Sequence, residues 1–154
     1  MQSPPRPQPV PTLAGCRLQS NTKLVLTFKR ELLGGETVHL QPPGPGKIPV
    51  ELRVRPGVPS GPNNTTGWVY ATSIAVVNDT AVAVTLPPGS PIPTAVRYAW
   101  GNYPCCPGLD PATFYCPPAS CPIVSGTTKE PAVPFWAHIE GGKCRCDPPW
   151  RCDS

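Results

Sequence analysis

The chain contains two histidines that could act as the general base of a serine hydrolase. A serine triad also needs a serine on a strained turn and a carboxylate that orients the histidine. His39 lies in a predicted strand, and neither of its flanking serines has a Gly-Asp-Ser context. His138 has Glu140 two positions later and Ser125 in a predicted turn upstream. No complete triad can be assembled from these residues, so we predict no catalytic residue in this chain.

The cysteines are the second group of residues that could carry chemistry. Seven of the eight follow residue 100, in proline-rich sequence where covalent links can replace a missing core. These disulfide candidates are Cys105, Cys106, Cys116, Cys121, Cys144, Cys146 and Cys152. Structural zinc prefers two pairs of ligands about two to four residues apart, and only fragments of that spacing occur. We therefore predict disulfides of open connectivity, and no metal or cofactor.

Three Asn-x-Ser/Thr glycosylation sequons begin at Asn63, Asn64 and Asn78. Each lies beside turn-forming residues, where an acceptor side chain would be exposed. Together with the cysteines, they predict an extracellular or lysosomal origin. The N-terminal segment lacks the apolar core of a signal peptide. We therefore expect either a fragment or a chain whose true beginning lies upstream.

Composition excludes several classes of protein. The net charge is +4, but the basic residues are scattered and form no run that would grip phosphates. No apolar stretch approaches the roughly 18 to 20 residues that span a bilayer. We therefore expect neither a nucleic-acid partner nor a membrane span. The chain has 26 prolines and 14 glycines, but its large apolar residues concentrate in positions 21–100, which favours one small folded unit with poorly folding flanks.

Most of the predicted elements are short strands. The apolar residues of 23–29 and 50–55 recur at every second position, as a half-buried strand requires. Residues 36–40 form a return strand after Gly34-Gly35, residues 68–77 and 81–86 form a hairpin, and residues 95–100 form a further strand. This pattern predicts an all-β fold, a β-sandwich or jelly-roll-like module over residues 21–139. We predict a proline-rich linker over residues 1–20 and an irregular cysteine-rich tail over residues 140–154.

The strand at 95–100 is unusually rich in aromatic and cationic residues. Val96, Tyr98 and Trp100 share one face, which predicts that they pack inward while Arg97 pairs with a carboxylate. The same aromatic residues could instead form a surface that stacks on sugars.

Several motifs of the chain resemble the C-terminal end of sialate O-acetylesterases. The motifs are Arg97-Tyr98-Ala-Trp100 followed by Pro104-Cys105, then Cys121-Pro122, then the segment 131–135 that ends in Pro134-Phe135. Upstream, residues 26–28, the turn at 32–35 and Gly67-Trp68 follow in the order of the family's terminal β-domain. The resemblance covers about residues 5 to 139 and is densest at 95–105 and 121–139.

The resemblance implies one part of a two-part enzyme. Family members join an SGNH-type catalytic domain to a terminal β-domain, are lysosomal or secreted, and remove O-acetyl esters from sialic acids. The Gly-Asp-Ser nucleophile motif and the Asp-x-x-His element of the family do not occur here. We therefore expect a non-catalytic β-domain fragment, inactive alone, with the missing catalytic domain and a sialylated glycan as partners.

Two departures from the family affect the cysteines. The interval from Cys105-Cys106 to Cys121 is longer than in the family, and residues 140–154 have no counterpart there. Within the resemblance, we predict a disulfide from Cys105 or Cys106 to Cys121.

The alternative function is that of an autonomous secreted carbohydrate-binding or adhesion module, whose aromatic residues would line a concave face. An exposed apolar patch formed by Trp68, Trp100, Phe135 or residues next to them would favour the fragment instead.

Overall fold

The computed structural model describes residues 9–42, 48–54, 67–99, 105 and 121–145. Within these ranges it contains strands and one short 3-10 turn at Arg30–Leu32, and no α-helix. The strands are β1 (Leu13–Ser20), β2 (Lys23–Phe28), β3 (Val38–Leu40), β4 (Val50–Arg53), β5 (Trp68–Tyr70), β6 (Ser73–Asn78), β7 (Ala81–Thr85), β8 (Ala95–Tyr98), β9 (Ile123–Ser125), β10 (Phe135–Glu140) and β11 (Lys143–Arg145). The predicted all-β class is confirmed.

Nine strands form one antiparallel sheet in the order β5-β4-β8-β10-β11-β1-β2-β7-β6, and β3 pairs with β9 in a second, small sheet. The large sheet is strongly curled into a half-barrel. Side chains from both of its halves belong to one buried cluster, so the curl supplies two facing layers around a single core. The largest fully buried members include Leu24, Leu26, Phe28, Val50, Leu52, Val82, Val84 and Tyr98.

The two edge strands of the large sheet are almost consecutive in the chain. Only Ala71 and Thr72 separate β5, at one edge, from β6, at the other. Ala71 donates its N–H to Val50 beside β5, and Thr72 donates its N–H to Thr85 beside β6. The chain therefore changes edges at one corner, where the two ends of the curled sheet meet.

Local sequence accounts for several of these strands. In β4, Val50 and Leu52 are buried while Glu51 and Arg53 face outward, which confirms the predicted alternation. The β6–β7 hairpin turns at residues 79–80 and is confirmed as well. The β10–β11 hairpin turns at Gly141 and Gly142, which have φ values of 59° and 78°. A two-residue turn with positive φ at both positions matches the right-handed twist of its strands and favours glycine.

Four predictions about the elements are wrong in part. Residues 13–20 of the predicted linker form β1, which pairs with β2 inside the sheet. The predicted irregular tail contributes β11 at 143–145. The predicted return strand contributes only residues 38–40, and these pair with β9 rather than with β2. The run 68–77 is split between β5 and β6, because within it the chain passes from one edge of the sheet to the other.

Glu36 stabilises the turn that follows β9 by accepting hydrogen bonds from it. Its Oε1 accepts the N–H groups of Thr127 and Thr128 at 2.7 and 2.9 Å, and its Oε2 accepts the Thr128 hydroxyl at 3.1 Å. The N–H of Thr128 is the largest cause that holds the pKa of the Glu36 carboxyl below its ordinary value, and it outweighs the opposing effect of desolvation. The ionised carboxylate therefore stabilises this turn.

We expect Glu36→Gln to lower the thermal unfolding midpoint at pH 7 and to matter less in acid. Because the pKa of Glu36 is lower in the folded state, its stabilisation is present above the unfolded-state pKa and is lost as pH falls through the folded-state value. Melting curves of the two proteins between pH 7 and pH 2 should converge at the acid end. Glu31→Gln, on the 3-10 turn, is the control and should follow the wild type. A gap of constant size across the series would contradict this prediction.

Candidate functional site

The outward face of β5, β4, β8 and β10 carries a row of aromatic and charged side chains. Tyr70 lies opposite Glu51, Glu51 opposite Arg97, and Arg97 opposite Trp136. Directly opposed residues of antiparallel strands place their side chains on the same face, as neighbours. All four are half-buried, whereas the residues between them in the strands face the core. The row therefore crosses four strands on the side of the sheet that points away from the core.

A second row lies beside the first. It runs from Trp68 to Arg53, Ala95 and His138 through the same register. Ala95 faces outward in this row but is fully buried, so it adds no exposed group to the surface. The Trp136 and His138 rings meet edge to face, with centroids 4.5 Å apart. We call these two rows the outer platform: Tyr70, Glu51, Arg97, Trp136, Trp68, Arg53, Ala95 and His138.

Arg97 occupies the middle of the outer platform and is held from two directions. Its Nε and a terminal guanidinium nitrogen donate to the two carboxylate oxygens of Glu51 at 3.2 and 2.9 Å. Its guanidinium carbon lies 4.0 Å from the centroid of the Trp68 ring. This bidentate, stacked geometry suits arginine and would not suit lysine. The predicted pairing of Arg97 with a carboxylate is confirmed.

Electrostatics on the outer platform are mostly balanced. Burial is the main cause that raises the pKa of Tyr70, Glu51 raises it further, and Arg97 opposes the change. The phenol therefore stays neutral and serves as a hydrogen-bonding group. Arg53 is exposed, and no ion pair of its side chain occurs among the described residues. Such a surface can stack on flat apolar groups and offer hydrogen bonds, which are the contacts that recognise sugars.

We expect Glu51→Gln to lower the free energy of unfolding by about 1 to 2 kcal/mol, between the cost of breaking an exposed ion pair and a buried one. The Arg97 and Glu51 side chains are only 22% and 14% exposed, so the substitution leaves a poorly solvated cation. The matched control is Glu140→Gln, because the Arg145–Glu140 pair is 66% and 63% exposed. Urea unfolding should show a change below about 0.5 kcal/mol for that control. Equal losses in both variants would contradict the prediction.

The residues that carry the family resemblance lie mainly inside the domain. Tyr98 is fully buried, and its hydroxyl accepts the N–H of Ile123 at 3.3 Å. Phe135 lies opposite Tyr98 in the β8–β10 register, and the two rings stack with centroids 5.5 Å apart. Burial raises the pKa of the Tyr98 hydroxyl well above its ordinary value. Pro134 is exposed beside this pair.

These positions correct two expectations. Tyr98 cannot stack on a sugar, because its ring is enclosed in the core. Phe135 is also buried and does not belong to an exposed apolar patch, while Trp68 is half-buried beneath Arg97. Trp100 and Pro104 lie outside the described residues. The platform residues Tyr70 and Trp136 were not selected from the sequence, although Trp136 alternates with buried Phe135 and Ala137.

The histidines and the serine considered for hydrolysis lie in different parts of the fold and make different contacts. Ser125 is buried; its hydroxyl lies 2.7 Å from that of Thr128 and accepts the N–H of Glu130 at 2.9 Å. His39 is exposed on β3, and His138 contacts Trp136 on the outer platform. Throughout the described ranges, no hydrogen bonds connect a serine, a histidine and a carboxylate into a triad. The Ser125 hydroxyl therefore stabilises the same turn as Glu36.

Two disulfides join distant parts of the chain. Cys105 is linked to Cys121, one of the two pairings predicted with the resemblance, and Cys16 is linked to Cys144. Cys16 was not among the predicted candidates, all of which follow residue 100. The remaining candidates, Cys106, Cys116, Cys146 and Cys152, lie outside the described residues, as do Asn63 and Asn64. Among the residues the structure does describe, no three His, Cys, Asp or Glu side chains gather in a way that could hold a metal.

The described part of the chain contains no helix with the length and apolar character needed to cross a membrane. In comparisons with known proteins, no protein-family model and no curated protein matches this sequence significantly.

Proposed function

We propose that this chain is the non-catalytic β-domain of a sialate O-acetylesterase-like carboxylic ester hydrolase, acting beside an SGNH catalytic domain. One observation carries the proposal. The motifs behind the resemblance come from two separate stretches of sequence, and their described residues meet in one packed unit. Tyr98 stacks on Phe135, its hydroxyl accepts the N–H of Ile123, and Cys105 is bonded to Cys121.

This packed unit supports a structural role for the motifs. A binding or catalytic motif exposes its polar groups to a ligand, whereas these rings are buried and the disulfide is buried at Cys105 and half-buried at Cys121. Motif residues that serve such packing are typical of a structural domain rather than of a reaction centre. In this proposal the ester chemistry belongs to the catalytic domain, and the present chain stabilises or covers it.

The compartment follows from the same proposal. The two disulfides suit an oxidising environment, as does the exposed sequon at Asn78. Both features support a lysosomal or extracellular location for the full protein, where sialylated glycans would reach its catalytic domain.

The proposal is tested by two measurements. Sequencing the transcript upstream of the Met1 codon should reveal an in-frame Gly-Asp-Ser motif and an Asp-x-x-His element. The purified 154-residue chain should hydrolyse neither 4-nitrophenyl acetate nor a 9-O-acetylated sialoside above the rate in buffer. A stop codon directly upstream with no catalytic segment would contradict the fragment assignment. Turnover proportional to protein concentration would contradict the non-catalytic role.

The outer platform favours a second candidate, an autonomous carbohydrate-binding module. Its exposed arginine and half-buried rings provide the stacking and hydrogen-bonding groups that sugars require. A glycan array probed with the purified chain separates the two candidates. For the module we expect binding that Trp136→Ala abolishes and that Ile92→Ala, a change at an exposed apolar residue off the platform strands, leaves intact. For the enzyme domain we expect Trp136→Ala to leave any glycan binding unchanged, because the catalytic domain rather than the outer platform would bind the sialylated glycan.

A further inference from the structure

Strand β3 approaches β6 beside the β6–β7 turn, where Val38 donates its N–H to the carbonyl of Asp79. Strand β6 nevertheless forms an edge of the large sheet and lacks the charges and prolines that protect many edges. Its backbone pairs with β7 on one side, and no other strand pairs with it within the described residues. Its sequence, Ser-Ile-Ala-Val-Val-Asn, contains no charge and no proline. Val76 and Val77 are 46% and 51% exposed. Natural sheets protect such edges with charges, prolines or a cover, because an exposed apolar edge pairs with other chains.

The sequon at Asn78 ends this same strand. Asn78 is exposed at the start of the β6–β7 turn. Its Oδ1 accepts the N–H of Thr80 at 3.0 Å, and the Thr80 hydroxyl lies 3.3 Å from the same oxygen. Because both groups donate to this atom, it is the amide oxygen, and no hydrogen bond donated by Nδ2 occurs among the described residues. The nitrogen that would carry a sugar is therefore available, next to the two exposed valines.

The dimensions allow one glycan to cover the edge. A strand of six residues is about 20 Å long at roughly 3.3 Å per residue. An N-linked oligosaccharide is bulky and lies on the surface, so it can extend along such a strand. Attached at the end of β6, it would sweep over Val76 and Val77 and over the outer side of β6, where no strand pairs with it within the described residues.

We propose that an N-linked glycan on Asn78 covers the edge strand β6 and prevents it from pairing with a second copy of this chain. Attachment forms a bond between Nδ2 and the anomeric carbon of a lipid-pyrophosphate-linked oligosaccharide. The bond from that carbon to the pyrophosphate oxygen breaks, and the amide nitrogen loses one proton. The inference requires passage through a secretory compartment and is independent of the proposed hydrolase partner.

The test uses the chain secreted from animal cells behind an added signal peptide. Peptide mass mapping should find Asn78 glycosylated, and the glycoprotein should sediment as a monomer at about 50 μM. Thr80→Ala removes the sequon and should shift the protein to dimers or larger species. Any free thiols are alkylated first, so that these species cannot form through intermolecular disulfides. Thr80→Ser keeps the sequon and hydroxyl and should stay monomeric. Asn63→Gln with Asn64→Gln removes the other two sequons and should also stay monomeric.

A rescue variant distinguishes edge pairing from a general loss of solubility. Adding Val77→Lys to Thr80→Ala places a charge on the edge and should restore the monomer without any glycan. If Thr80→Ala is not secreted, enzymatic removal of glycans from the folded wild-type protein replaces it, and association should follow. An unmodified Asn78, a monomeric aglycosylated protein, or association that Val77→Lys does not reverse would each overturn the inference.

Discussion

Replacing both Cys16 and Cys144 with alanine should lower the free energy of unfolding by about 4 to 5 kcal/mol, the value expected from the chain entropy of a long closed loop. The disulfide joins residues 128 positions apart, so it restricts most of the unfolded chain. It also lies where the large sheet has its least extensive pairing. Strands β1 and β11 share one register pair, Arg17 with Lys143, whereas β1 and β2 share six.

The Cys16–Cys144 seam joins the two halves of the sheet. On one side lie β5, β4, β8, β10 and β11, and on the other lie β1, β2, β7 and β6. Across the seam, Leu18 donates its N–H to the carbonyl of Gly142 at 2.7 Å. We expect hydrogen exchange at Leu18 to accelerate in the double variant more than exchange within β2.

The matched control for this prediction is the double variant Cys105→Ala with Cys121→Ala. Its loop spans 16 residues, for which the same chain-entropy estimate gives about 3 kcal/mol. In guanidinium unfolding of the three proteins, the wild type should have the highest free energy of unfolding and the Cys16/Cys144 variant the lowest. The reverse order, or peptide mapping that finds Cys16 as a free thiol in the wild type, would contradict the assigned role of the seam.

Strands whose burial is decided within the strand itself can be predicted from the sequence. Val50 and Leu52 alternate with Glu51 and Arg53, so the apolar face of β4 can be identified without knowing its neighbours. The β6–β7 hairpin is likewise local, because two apolar runs flank a short turn. The pairing of Arg97 with a carboxylate follows from the same logic, since Val96 and Tyr98 take the buried face.

Strand β1 could not be predicted from the sequence, because a local irregularity interrupts the alternation of its buried and exposed residues. Leu13 and Cys16 are both buried, but they are three residues apart. The register against β2 shifts between Leu13 and Gly15, where one extra residue is inserted. Such a bulge moves the following side chains to the opposite face, so the alternation that identifies a strand is lost. The half-buried pattern of β10 followed by Gly141-Gly142, by contrast, was a usable hairpin signal.

Long-range pairing sets the rest of the fold and the outer platform. Val38 pairs with Ser125, although a short loop suggested pairing with β2 instead. The split of 68–77 depends on the corner at Ala71 and Thr72, where both flanking runs have equally good strand composition. The platform brings together side chains from four strands, and its rows exist only once the strand order is known. A local pattern can assign a face to a residue but cannot assign its neighbours across the sheet.

Phe135→Ala should produce the second large effect, a loss of about 3 to 4 kcal/mol in the free energy of unfolding, as expected when a buried phenylalanine leaves a cavity. Phe135 contacts Tyr98 by stacking and Phe28 by an edge-to-face arrangement, with centroids 5.5 and 6.4 Å apart. The substitution removes both ring contacts at once and leaves the fully buried Tyr98 beside a void.

Trp136→Ala is the control for Phe135→Ala, because it removes a larger ring from the adjacent position on the outward face. Since that ring is only half-buried, we expect a loss of about 1 to 2 kcal/mol, in proportion to the smaller apolar area that folding hides from water. Urea unfolding of both variants measures the difference. If Trp136→Ala proved the more damaging change, the outer platform rather than the Tyr98–Phe135 unit would be the main support of β10. The motif residues would then lose the structural role on which the hydrolase-domain proposal depends.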